Sequence, residues 1–139
     1  MVLHLSEHFY KEFMSFYKQL FFSDLPLLTF LDLSHNLMPD VLEKTFLKLS
    51  NLQTLYLHHN RIEKIVNKAF ESLLQLRNLD VSRNKLKTFT LEMFGGASKF
   101  TGNKLRKLNL SNNRLMVLDT SLFSILKNLV YLNLAFVSN

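Results

Sequence analysis

The sequence predicts an α/β-type solenoid, a stack of short repeats that contribute one strand each to a parallel sheet on the concave side of a horseshoe. Three observations carry this prediction. A nine-residue phrase recurs five times: LTFLDLSHN from Leu28, LQTLYLHHN from Leu52, LRNLDVSRN from Leu76, LRKLNLSNN from Leu105 and LVYLNLAFV from Leu129. Its starts lie 24, 24, 29 and 24 residues apart. Within each phrase the apolar residues alternate, which is strand spacing. A period of about 20–29 residues marks an architecture in which one unit cannot bury its apolar face alone and stacks on its neighbours.

Taken in order, the first copy is partial. In VLHLSEH, Leu3, Leu5 and His8 fall 28 residues before Leu31, Leu33 and Asn36, so residues 2–8 read as a strand phrase with His8 where asparagine stands later. Phe9, Phe13, Phe16 and Leu20 follow at helix-like spacing for the outer face, and Phe22, Leu25 and Leu28 lead into the phrase at 28–36. The phrase at 52–60 turns Leu55 and Leu57 to one side and Thr54 and Tyr56 to the other. The phrase at 76–84 repeats it; the one at 105–113 comes after an insertion in which Gly95-Gly96 read as a lengthening loop. The last, 129–137, has Val137 in place of asparagine. Residues 1–139 thus read as one domain of about five to six repeats. Stable solenoids close with atypical polar units, and none is recognisable here. The expectation is an uncapped fragment of a longer array that self-associates through apolar edges when isolated.

Asn36, Asn60, Asn84 and Asn113 end the strands where the chain turns back. A side-chain amide has two donors and an acceptor, so each can satisfy backbone groups that the turn leaves unpaired. Two and five residues beyond them stand Met38 and Val41, Ile62 and Ile65, Leu86 and Phe89, Leu115 and Leu118. Ten residues beyond comes a phenylalanine each time, Phe46, Phe70, Phe94 and Phe123, followed three residues later by Leu49, Leu73 and Leu126 in three copies. These read as a stacked apolar spine behind the sheet rather than an aromatic ligand pocket.

The net charge is +6, cysteine is absent, and no apolar run approaches the length needed to cross a membrane. No apolar leader precedes Glu7, Lys11 and Glu12, so no secretory signal is visible. Arg61, Lys85 and Arg114 share the position after the asparagine, with Arg106 and Lys107 near them. Aromatic residues do not interleave with this column as single-strand binding needs, which weighs against nucleic acid as partner. No phosphate loop, nucleophile elbow or paired carboxylates appear, so no enzyme and no cofactor is implied.

What remains is the outward face of the sheet. Its third-position column reads Phe30, Thr54, Asn78, Lys107, Tyr131; its fifth reads Asp32, Tyr56, Asp80, Asn109, Asn133; its eighth reads His35, His59, Arg83, Asn112, Phe136. From these, Phe30, Asp32, His35, Thr54, Tyr56, His59, Asn78, Asp80, Arg83 and Lys107 are the candidate binding residues. An exposed cluster of Phe30 and Tyr56 beside Asp32 and His59 stands at the centre, since aromatics are enriched at binding hot spots. The plain alternative is that Asp or Asn at position five and Ser at position seven bond locally at the strand end. His35 and His59 share a column with His58 next door, but sequential His58 and His59 are expected to diverge, so no metal site is assigned. Asn109-Leu110-Ser111 is an N-glycosylation sequon in letters the repeat also uses structurally.

With its 24-residue period, asparagine turn and phenylalanine ten residues on, the chain resembles the typical extracellular class of leucine-rich repeats. Toll-like receptor ectodomains, chaoptin-like adhesion proteins, Slit proteins, the acid-labile subunit and variable lymphocyte receptors share that class. The resemblance implies a concave sheet that binds a protein or other macromolecule, usually outside the cell or at its surface, in innate immunity or adhesion. It would leave this segment packed against neighbouring repeats or caps of a longer chain. The alternative it allows is a structural or scaffold protein of the extracellular matrix, or an intracellular adaptor. Missing Cys-rich caps and two irregular periods are departures from the class.

Overall fold

The computed structural model describes residues 1–5, 25–96 and 104–136. Six three-residue strands, β1 (Val2–His4), β2 (Phe30–Asp32), β4 (Thr54–Tyr56), β6 (Asn78–Asp80), β8 (Lys107–Asn109) and β10 (Tyr131–Asn133), form one parallel sheet in that spatial order. The register aligns Leu3, Leu31, Leu55, Leu79, Leu108 and Leu132 in one rank. The 28-residue offset of the first copy and the 29-residue third-to-fourth spacing therefore both keep the phrase in step. Backbone bonds continue past the strands, from Leu33 N–H to Tyr56 O (2.8 Å) and from Leu57 N–H to Asp80 O (2.8 Å).

The alternation works as strand geometry requires. Leu31, Leu55, Leu79 and Leu108 are buried behind the sheet, with Leu33, Leu57, Val81 and Leu110 one rank further along. Leu132, in the edge strand β10, is 39% exposed. It lacks the next-repeat neighbour that covers its counterparts among the described residues.

Each asparagine performs the turn role expected of it. Asn60 Nδ2 donates to Leu33 O (2.9 Å) and Leu57 O (3.0 Å), and its Oδ1 accepts from Met38 N–H (3.0 Å). Asn84 and Asn113 repeat the set, with Oδ1 accepting from Ile62 and Leu86 N–H. One amide thus ties its own copy to the one before it. Asn36 makes the donor bonds, to Leu5 O, Leu33 O and Ser34 O, while its buried Oδ1 has no partner among the described residues.

On the return path the structure adds something the one-sheet reading lacked. β3 (Asp40–Val41) pairs with β5 (Lys64–Ile65), and β7 (Thr88–Phe89) with β9 (Val117–Leu118), as two small parallel sheets. Val41, Ile65 and Phe89 point into the core from them. The phenylalanine spine lies beyond: Phe46 and Phe70 stack at 6.2 Å, and Phe70 and Phe94 at 5.3 Å with tilted planes. Phe94 ends a 3-10 turn (Leu91–Phe94) closed by Gly95 and Gly96, both at positive φ (90° and 77°), which the loop reading of that pair anticipates. The fourth copy carries helix α1 (Thr120–Ile125), capped by Asp119, whose Oδ1 accepts from Ser121 N–H (3.0 Å). Phe123 on it is only half-buried. The helix-like run at Phe9, Phe13, Phe16 and Leu20, together with His8, Phe22 and Val137, lies outside the described residues. Among those described, no helix is long and apolar enough to cross a membrane.

Candidate functional site

The concave face presents the three outward columns, but not uniformly. In four copies the fifth position caps its own strand end: Asp32 Oδ1 accepts from Ser34 N–H (2.9 Å), Asp80 Oδ1 from Ser82 N–H (2.9 Å), Asn109 Oδ1 from Ser111 N–H (3.2 Å) and Asn133 Oδ1 from Ala135 N–H (3.0 Å). The local-chemistry alternative is therefore correct for those residues. The second copy departs from it. Tyr56 stands where the cap should be and His58 where serine should be, and the strand end they occupy is the most aromatic part of the face.

Phe30 and Tyr56 meet edge to face, with ring centroids 5.3 Å apart at 80°. His4 covers the other side of Phe30 at 5.0 Å, and Tyr56 continues to His58 at 5.8 Å. Phe30 and Tyr56 are half-buried, not exposed as expected, because each ring covers its neighbour. Thr54 is more occluded still, at 9% exposed, with its Oγ1 accepting from Asn78 Nδ2 (2.9 Å). Asp80 and Asn78 are half-buried; His35, His59, Arg83 and Lys107 are open to solvent. Tyr56, Asp80, Lys107, Asn109 and Tyr131 bound a shallow cavity of about 200 Å³ on this face.

Asp32 sits under the aromatic strip. Burial works against its charge, but hydrogen bonds from the Ser34 side chain and backbone and from His4 Nδ1 (3.3 Å), with the nearby charge of His58, hold its carboxyl below the usual value. It is a fixed anion at neutral pH. Asn109 is equally committed: its Nδ2 donates to Asp80 Oδ2 (3.0 Å) and its Oδ1 also accepts from Ser111 Oγ (2.8 Å). The amide nitrogen that the sequon would offer to a glycan is thus engaged in the folded chain.

The expected divergence of His58 and His59 is wrong. Their Nδ1 atoms lie 2.9 Å apart, His35 stacks on His59 at 4.3 Å, and ligand atoms of all three imidazoles fall within 4.8 Å of one another. The reason is backbone conformation. Period-2 alternation holds only while φ stays in the β region, and His59 has φ 53°. That left-handed turn brings two successive side chains to one side. His35, Arg83, Asn112 and Phe136, the same column in other copies, have φ from 52° to 56°. His58 was therefore missed as a site residue. The available signal was its replacement of the serine found at that position in three other copies.

Two groups of basic residues lie off this strip. Of the column after the asparagines, Lys85 pairs with Glu63 at 3.6 Å on the surface, a contact worth little, while Arg61 and Arg114 are exposed. Where the last strands begin, Arg77, Lys104, Arg106 and Lys127 line an open groove of about 500 Å³.

Compared with known proteins, the sequence matches the leucine rich repeat family over residues 15–62, 50–101 and 104–129. No curated protein matches it. Among solved structures, the crystal structure of a TLR13–ssRNA13 complex is similar, with 34% identity and a TM-score of 0.71 over 81% of this chain. The chain spans 16% of the length of that TLR13 chain.

Proposed function

This chain belongs to the leucine-rich-repeat family, and on that premise we propose that its concave sheet recognises a macromolecular ligand, as a segment of a cell-surface receptor or adhesion ectodomain. The observation that carries the reading is the aromatic strip from His4 through Phe30 and Tyr56 to His58. It replaces, in the second copy, the capping chemistry that the other copies use. Half-buried aromatics flanked by a fixed carboxylate at Asp32 and open cations at Arg83 and Lys107 suit a mixed polar and apolar epitope. The likeness to a Toll-like receptor chain favours a receptor over a matrix scaffold or an adaptor.

The ligand class of first choice is a protein. Nucleic acid is the second, and it regains weight because the similar TLR13 structure is a complex with ssRNA, and because four cations line the groove at Arg77, Lys104, Arg106 and Lys127. The test is a binding screen of the purified chain against secreted and cell-surface proteins and against single-stranded RNA. A protein bound at the strip loses at least about fivefold in affinity with Phe30→Ala and Tyr56→Ala combined. An RNA ligand instead loses affinity steeply with salt and with Arg77→Ala and Arg106→Ala. A ligand indifferent to both pairs would remove the concave face from consideration.

A further inference from the structure

We propose that His35, His58 and His59 form a three-imidazole site for one divalent transition-metal ion, zinc foremost, whose remaining coordination position opens onto the concave face. Zinc takes imidazole nitrogen at about 2.0–2.1 Å, so two ligands of a tetrahedral site lie about 3.3 Å apart. The Nδ1 atoms of His58 and His59 are already at 2.9 Å, and one nitrogen from each of the three rings can be chosen so that all lie within 4.8 Å of one another. Opening the first pair slightly and closing on His35 takes only ring rotation, because His35 and His59 are solvent-exposed.

The backbone holds this arrangement in place. His35 N–H bonds His58 O (3.0 Å) and His59 N–H bonds Ser82 O (3.2 Å), so both left-handed residues are pinned across neighbouring copies. Elsewhere in the column the seventh and eighth positions pair Ser82 with Arg83 and Ser111 with Asn112, which cannot supply imidazoles. An all-imidazole donor set selects zinc, nickel or copper over magnesium or calcium. Arg83 repels an incoming cation, while the Asp80 and Asp32 carboxylates attract it. Three protein ligands and one free position describe an open site that a water or a partner's side chain completes.

The test titrates the tag-free 139-residue chain with Zn²⁺ by calorimetry and with Co²⁺ by visible absorption. The expected result is one ion per chain in four-coordinate geometry. His35→Asn and His59→Asn should each weaken binding at least about tenfold. Asparagine is the right replacement because Asn112 occupies the same column at φ 54°, so the variants keep their backbone. In the unsubstituted chain, Zn²⁺ should move the imidazole resonances of all three histidines together. No saturable binding, undiminished affinity in both Asn variants, or resonance changes confined to other histidines would overturn the site.

Discussion

The second copy (52–60) and the third (76–84) bury the same skeleton: Leu55 and Leu79, Leu57 and Val81, Asn60 and Asn84. Their inner faces are nearly interchangeable, and their ladder residues align one to one. On the concave side they part. The third copy secures its strand end with Asp80 and Ser82, whereas the second carries Tyr56 and His58, which make ring contacts instead. The inner face must fill a closed volume beside two neighbours, so its residues repeat. The outer face need only keep its backbone in register, which strand pairing already does, so it is free to vary.

The comparison breaks most visibly at the core. Leu55→Ala and Leu79→Ala should each lose about 2–5 kcal/mol in urea unfolding. Leu132→Ala, at the same rank but 39% exposed, should lose less than half as much; equal losses in all three would mean that stacking does not set the burial. Asn60→Ala comes next. It strands Met38 N–H, worth about 1–3 kcal/mol when buried without a partner, and removes one of the two amide bonds that Leu33 O and Leu57 O each accept, the others coming from Asn36 and Asn84. Asn36→Ala should lose less, since its Oδ1 has no bond to lose among the described residues.

Rewriting the second copy as the third, with Tyr56→Asp and His58→Ser, sharpens the contrast. A recovered cap of about 0.5–1.5 kcal/mol offsets lost ring contacts of similar size. The melting temperature should therefore barely move while zinc binding and ligand binding disappear. The smallest effect concerns Asp119. Hydrogen bonds from the Ser121 side chain, then from Leu91 N–H (3.2 Å), hold its carboxyl below the usual value. A folded pKa below the unfolded one, about 3.9, gives stabilisation that is complete above that value and lost as pH falls through the folded one. Asp119→Asn keeps a capping side chain and should flatten the acid limb of melting temperature against pH.

Much of this was legible. The positions of Leu31, Leu55, Leu79 and Leu108, the asparagine ladder and the spine from Phe46 to Phe94 follow from periodicity, because a repeated burial pattern writes a repeated sequence. The paired strands β3 with β5 and β7 with β9 left no such trace; two residues are too few to show alternation. Thr54 read as an open residue because its cover, Asn78, comes from the next copy 24 residues away. The histidine trio was hidden for another reason. Letters carry no φ, and the rule that neighbours point apart fails where His59 turns left-handed.

That left-handed column has a consequence for how the molecule can change. His35, His59, Arg83, Asn112 and Phe136 all hold a backbone conformation that L-residues adopt at about 1 kcal/mol or more above the β region. Glycine there would relax the chain at every repeat, and it would delete the side chains at the rim of the concave face. Laboratory evolution for heat resistance alone should therefore drift toward glycine in this column, and so produce a more durable horseshoe that has gone blind along one edge.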